Sequence, residues 1–184
     1  MMADVVSKAT RSRMMSGIRA TNTHPEVAVR KLLFSAGFRY RLNVRSLPGS
    51  PDLFFAKHQA AVFMNGCFWH GHECSRFKWP KANAEFWRAK ILANRARDSR
   101  DVGALLELGV RVATIWECSL CGARRVPANE LQRRLTTWLR NPTRKHFEIG
   151  EKAQHGTARL RRTSQNHADT RRTTALLQAT RRER

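Results

Sequence analysis

Gly66-Cys67-Phe68-Trp69-His70-Gly71-His72-Glu73-Cys74 sets two cysteines, two histidines and two large aromatics within one short stretch. The chain has four cysteines in all, and the other two, Cys118 and Cys121, close a second apolar, strand-like run. Thiolates and imidazoles at this spacing suit a closed tetrahedral zinc site, which takes soft sulfur and nitrogen ligands and involves no redox chemistry. A metal there would pin a loop whose aromatic tip, Phe68-Trp69, could not otherwise be both rigid and exposed. Two ligand sets are open. One is Cys67, His72, Cys74 and Cys118; the other replaces His72 with Cys121.

Upstream of the loop, Asp52-Leu53-Phe54-Phe55 and Ala60-Ala61-Val62-Phe63-Met64 flank the polar bend Lys57-His58-Gln59 and read as an antiparallel pair in the core. Leu47-Pro48-Gly49-Ser50-Pro51 is a turn. Before it, Phe38, Tyr40, Leu42 and Val44 alternate with Arg39, Arg41 and Asn43, the pattern of a half-buried strand. Thr23-His24-Pro25-Glu26 is a capping box, with Val29, Leu32, Leu33 and Ala36 as the buried face of its helix and Gly37 as the stop. Downstream, Asn83 is expected to cap a long helix containing Phe86, Trp87, Ile91, Leu105 and Leu108 and ending at Gly109. Val110 to Trp116 reads as a further buried strand. Leu131, Leu135, Trp138 and Leu139 then form the face of a last helix. The order helix, strand, strand, strand, helix, strand, helix describes an α/β sandwich with a mixed sheet flanked by helices.

The termini differ in texture. Residues 1–22 form a polar, basic arm, 23–145 the folded domain with the metal loop, and 146–184 a basic tail. That tail holds nine Lys/Arg against four Asp/Glu and five large apolar side chains. Such a segment buries too little surface to offset its ordering entropy and is expected to be disordered.

Lys+Arg 35 against Asp+Glu 14 gives a formal charge of +21. A polyanionic partner follows, and a phosphate backbone bound through counterion release is the commonest. A membrane surface is disfavoured because no segment pairs an apolar stripe with a basic face over several turns. No run of about 18 apolar residues exists to span a bilayer. Asp4, Lys8, Arg11 and Arg13 occupy the place of a signal peptide's apolar core. A reducing cytoplasm is expected, where cysteines serve as metal ligands rather than disulfides.

Few acids lie near the predicted core: Glu26, Asp52, Glu73, Glu85, Asp98 and Asp101. Asp52 opens an apolar strand, where a charge is costly to bury unless it is paired or binds a cation. Its plainer reading is a turn residue satisfied by backbone amides. Hydrolysis of a phosphodiester needs a divalent ion to neutralise the phosphate and activate water, together with a proton acceptor. Asp52 suits the first role and His70 the second, because an imidazole titrates near neutrality; His70 could equally be a zinc ligand. Asp98, about three turns beyond Trp87, could orient His70 or belong to a solvated Arg-Asp surface. Phe68, Trp69 and Trp87 are either core or an apolar wedge of the kind that opens a DNA duplex between base steps.

Together these residues resemble the very-short-patch-repair (Vsr) mismatch endonucleases of bacteria. The resemblance runs through Lys8-Ala9-Thr10-Arg11-Ser12, Leu47-Pro48-Gly49-Ser50-Pro51-Asp52, the nine residues from Gly66 to Cys74, Glu85-Phe86-Trp87, Arg97-Asp98 and Trp116-Glu117-Cys118. It implies a PD-(D/E)xK nuclease-like fold with a structural zinc, and nicking of one strand 5′ of the thymine in a T:G mismatch left by deamination of 5-methylcytosine. It also implies Mg2+ on Asp52 and the Met64 backbone carbonyl, and His70 as general base. Glu26 and Asp98 would act as helpers through water, Cys67, His72, Cys74 and Cys118 would hold Zn2+, and Phe68, Trp69 and Trp87 would enter the DNA, clasped by the N-terminal arm. The expected partner is double-stranded DNA of the bacterial nucleoid carrying a T:G mismatch, with mismatch-repair proteins as further partners and a monomer as the working state. Some members carry histidine where this chain has Asn65, and neither Cys121 nor the tail matches a family motif. Two other functions fit the composition: a zinc-stabilised DNA-binding module without catalysis, and a restriction-type nuclease that cuts matched DNA.

Overall fold

The computed structural model describes residues 22–151 and Thr10. The N-terminal arm before Asn22, Thr10 apart, and the tail beyond Glu151 lie outside the described residues. Helix α1 (His24–Ser35) starts at Thr23, whose side chain accepts from the Glu26 amide, while Glu26 accepts from the Thr23 hydroxyl and the Asn22 amide. This is the reciprocal capping the sequence predicts. Strands β1 (Arg41–Leu42), β2 (Leu53–Phe55) and β3 (Ala60–Asn65) follow, then helix α2 (Ala84–Glu107), strand β4 (Arg111–Trp116), one turn of helix α3 (Glu117–Leu120), helix α4 (Ala128–Arg140) and strand β5 (His146–Ile149).

The sheet is mixed, in the order β1-β2-β3-β4-β5. β1, β2 and β3 pair antiparallel, whereas β3-β4 and β4-β5 are parallel. The parallel step from β3 to β4 needs a crossover, which α2 supplies. Period-two alternation divides the core. Leu53, Phe55, Val62, Ala113 and Ile115 face Val29 and Leu33 of α1 and Leu131, Leu135 and Leu139 of α4. On the opposite face Ala61 and Val112 meet Leu105 of α2, with Phe54, Phe63 and Leu106 packed alongside. Helices thus cover both faces of an α/β sheet, as the sequence predicts.

Three expectations are corrected. The alternating run Phe38 to Val44 forms a ladder only at Arg41 and Leu42, because Asn43 turns into the left-handed region at φ 47° and ends an edge strand with one neighbour. Asn83 precedes α2 but makes no side-chain cap; it too is left-handed, at φ 51°. The basic tail is expected from residue 146, yet His146–Ile149 is β5, with Ile149 in the core. A composition averaged over the whole tail hides one short segment whose Phe147 and Ile149 face inward.

Candidate active site and metal centre

β2 and β3 bring Asp52 and Met64 side by side. The Met64 amide donates to Asp52 Oδ2 at 2.7 Å. Burial pushes the Asp52 carboxyl up to about 6, against the pull of that amide; Glu26 adds repulsion, while Arg30 and His70 draw it down. A carboxyl dehydrated this far is poised to gain from a divalent ion. Asp52 and Met64 line a cleft of about 830 Å³ with Asn65, His70 and Asp98. Across it His70 Nδ1 lies 2.5 Å from Asp98 Oδ2. That pairing leaves Nε2 as the other ring nitrogen, and a carboxylate on one nitrogen fixes which nitrogen carries the proton. Of the two readings of Asp98, the structure thus brings it to His70.

Glu26 stands apart from the cleft lining. It is 7 % exposed and held by Thr23, Asn22 and Arg30, whose guanidinium is 3.1 Å away. It reaches Asp52 through its field alone.

The metal loop hangs from the end of β3. The His70 amide returns to the Gly66 carbonyl and the His72 amide to that of Cys67, winding the segment into a tight turn. Gly71, at φ 59°, completes it; a Cβ there would meet Ile91 of α2 at 2.6 Å. The ligand atoms of Cys67, His72, Cys74 and Cys118 all lie within 4.8 Å of one another. His72 Nδ1 is 3.6 Å from the sulfurs of both Cys67 and Cys118. Bond lengths of about 2.3 Å to sulfur and 2.0 Å to nitrogen give tetrahedral edges of about 3.6 Å, so the four groups fit zinc. Burial pushes the Cys67 and Cys118 thiols up and the His72 imidazole down. A dication reverses that penalty on the thiolates and takes the neutral imidazole as it stands. Cys121 is not in this group, its thiol donating to the Glu117 carbonyl at 3.3 Å. Of the two ligand sets open in the sequence, the fold assembles the one with His72.

Phe68, Trp69 and Trp87 form a half-buried triangle of rings with centroids 5.2, 5.2 and 5.9 Å apart. Phe86 extends it at 5.3 Å from Trp87 and is 58 % exposed. These rings are neither core nor scattered surface.

Several residues escaped the sequence reading. Asn94 donates its side-chain amide to the Trp69 carbonyl at 2.8 Å, one turn before Asp98 on the same helix. Glu117 accepts from the Cys67 amide at 3.2 Å and from Arg76 at 3.1 Å, holding both ends of the metal loop. Trp116 stacks on His72 with centroids 4.1 Å apart. The signal for Asn94 was its spacing, one turn from Asp98. Glu117 and Trp116 appeared in the sequence only as part of the Trp116-Glu117-Cys118 motif, with no role attached.

The chain is similar to known DNA endonucleases. The family model for the DNA mismatch endonuclease Vsr matches residues 3–76. The DNA mismatch endonuclease Vsr of Escherichia coli strain K12 is 43 % identical over 138 residues, 75 % of this chain and 88 % of that protein. The type II nicking enzyme V.XorIIP of Xanthomonas oryzae pv. oryzae is 47 % identical over 119 residues, 65 % of this chain and 88 % of that protein. V.NmeAIP of Neisseria meningitidis, also a type II nicking enzyme, is 43 % identical over 119 residues, 65 % and 85 % of the two chains.

Proposed function

From the premise that the chain belongs to the Vsr family of DNA mismatch endonucleases, and so is a DNA-nicking phosphodiester hydrolase, we propose that it cuts one strand 5′ of the thymine in a T:G mismatch with the help of magnesium. The observation that carries this reading is the cleft lined by Asp52, Met64 and the His70–Asp98 pair, with Phe68 and Trp69 next to His70 in the chain and packed against Trp87 of α2.

Asp52 and the Met64 carbonyl would hold magnesium, which supplies charge neutralisation at the phosphate and a more acidic water. Asp98 anchors Nδ1 of His70, leaving Nε2 to accept a proton from the attacking water. Glu26, fully engaged in its cap and with Arg30, acts on Asp52 electrostatically rather than as a ligand. Cys67, His72, Cys74 and Cys118 would hold zinc as a structural ion, since four protein ligands leave it no open position. Phe68, Trp69 and Trp87 would enter the duplex beside the mismatch. A T:G wobble stacks less well than a matched pair, so prying the neighbouring step apart costs less there. The charge of +21 suits a DNA substrate.

The test is cleavage of T:G, T:A and C:G duplexes in varied flanks, with and without magnesium. Nicking confined to T:G duplexes and requiring magnesium is expected. Equal cutting of matched DNA would make the protein a restriction-type nuclease, and binding without cleavage a DNA-binding module. Among the described residues no helix is long and apolar enough to cross a membrane.

A further inference from the structure

We infer that Glu151 is a positioning residue for the metal centre, so that Gly150 and Glu151, which follow β5, belong to the working site. This rests on the reading that Cys67, His72, Cys74 and Cys118 hold zinc. The Glu151 amide donates to Cys118 Sγ at 3.2 Å. Its carboxylate accepts from the amide and hydroxyl of Ser75, at 3.1 and 2.6 Å, and pairs with Arg124. Ser75 directly follows the ligand Cys74, and Arg124 lies shortly after the ligand Cys118. One residue therefore ties the two chain segments that supply the ligands.

Three details make this arrangement specific. The Glu151 side chain is only 10 % exposed, and a carboxylate so placed is costly unless all its partners are present. Gly150 lets the backbone lie against Trp116, the ring that stacks on His72; a Cβ at Gly150 would fall 2.6 Å from that ring. β5 runs parallel to β4, so both strands deliver their following residues to the same end of the sheet. Three thiolates and one imidazole around Zn2+ leave a net charge of −1. Backbone N–H groups aimed at the sulfurs spread that charge and orient the ligands. The Cys118 amide does this for Cys67 at 3.3 Å, and the Glu151 amide does it for Cys118.

The test measures zinc release from the full-length protein to a chromophoric chelator, with initial zinc content fixed by mass spectrometry. Outer-shell partners of a metal typically change affinity by about 10–100-fold. Glu151→Ala should release zinc about tenfold faster or more. Ser75→Ala and Arg124→Ala, each removing one partner, should fall between it and the parent, and Glu151→Gln, which keeps an acceptor for Ser75, should fall near them. Equal rates across the series would overturn the proposal. If Glu151→Ala is isolated without zinc, the graded order of the other three variants decides. If the parent itself binds no zinc, the zinc reading has failed, and trypsin cleavage at the exposed Arg76, Lys78 and Lys81 scores the brace directly. Faster cleavage of Glu151→Ala than of the parent would then support the brace, and equal rates would sink it.

Discussion

On the proposed reading, Asp52 is the residue on which magnesium and proton would compete. A carboxyl held near 6 binds its proton more tightly in the folded chain than in the unfolded one. Its contribution to metal-free stability is therefore fully present below the ordinary value near 4 and is lost as pH rises through about 6. Magnesium, which binds the ionised form, should raise the thermal midpoint more at pH 7.5 than at pH 5.5. Differential scanning in paired buffers checks this, and a shift independent of pH would remove Asp52 from the metal site. Asp52→Asn should abolish nicking while leaving the fold and duplex binding in calcium largely intact; nicking at the parent rate would end the catalytic assignment. Asn94 acts on the neighbouring peptide. Its bond to the Trp69 carbonyl holds the Trp69–His70 peptide, the link between the proposed wedge and the proposed base. Asn94→Ala should cost only about 1 kcal/mol of stability, as typical for one hydrogen bond. It should nonetheless lower both the single-turnover nicking rate and the T:G preference. Parent values for both would show that Asp98 and the metal hold the loop without it.

At the scale of the element, a zinc ion on the proposed ligands would make the loop from Cys67 to Cys74 one rigid piece. Cys74→Ser should lower the thermal midpoint of the whole domain and lose zinc, since a structural metal contributes directly to folding. Cys121→Ser should keep one zinc per chain, because that thiol bonds to the Glu117 carbonyl rather than joining the tetrad. The reverse outcome would establish the four-cysteine set. The same rigidity would let the three half-buried rings work together, as proposed. Stacking on an aromatic is worth about 1–3 kcal/mol per base by alanine substitution, roughly 5- to 150-fold in binding. Trp69→Ala should therefore reduce the ratio of T:G to T:A binding constants more than it reduces general affinity, measured at fixed salt with calcium in place of magnesium. An unchanged ratio in both Trp69→Ala and Trp87→Ala would return these rings to a packing role.

For the whole molecule, the basic charge of the C-terminal residues can be tested apart from the site. Residues 152–184 carry nine Lys/Arg against two Asp/Glu and contain none of the proposed site residues. Ending the chain at Glu151 should weaken binding to all duplexes alike and flatten its dependence on salt, by close to one slope unit for each phosphate no longer neutralised. Mismatch preference should remain. Loss of T:G discrimination would show instead that the tail reads the lesion. Ending the chain at Lys145 should do far more harm, because it removes β5 and the buried Ile149 with it.

The sequence by itself determined the order of the main helices and strands as far as α4, the capping box at Thr23, the buried runs that become β2, β3 and β4, and the density of ligands between Cys67 and Cys74. Each depends on local spacing, and period-two or 3.6-residue burial is visible in one dimension. What the tertiary structure alone decided was which groups meet. His72 rather than Cys121 joins Cys67, Cys74 and Cys118, and Asp98 turns to His70 from 28 positions further along the chain. Arg111 was legible only as part of a buried strand. In the fold it donates to the carbonyls of His58, Trp138, Leu139 and Asn141, satisfying the end of α4 through backbone oxygens. β5 and Glu151 escaped for the same reason. Their place depends on β4 and the metal loop, which are remote in sequence, and no local pattern encodes a partner that only folding brings near.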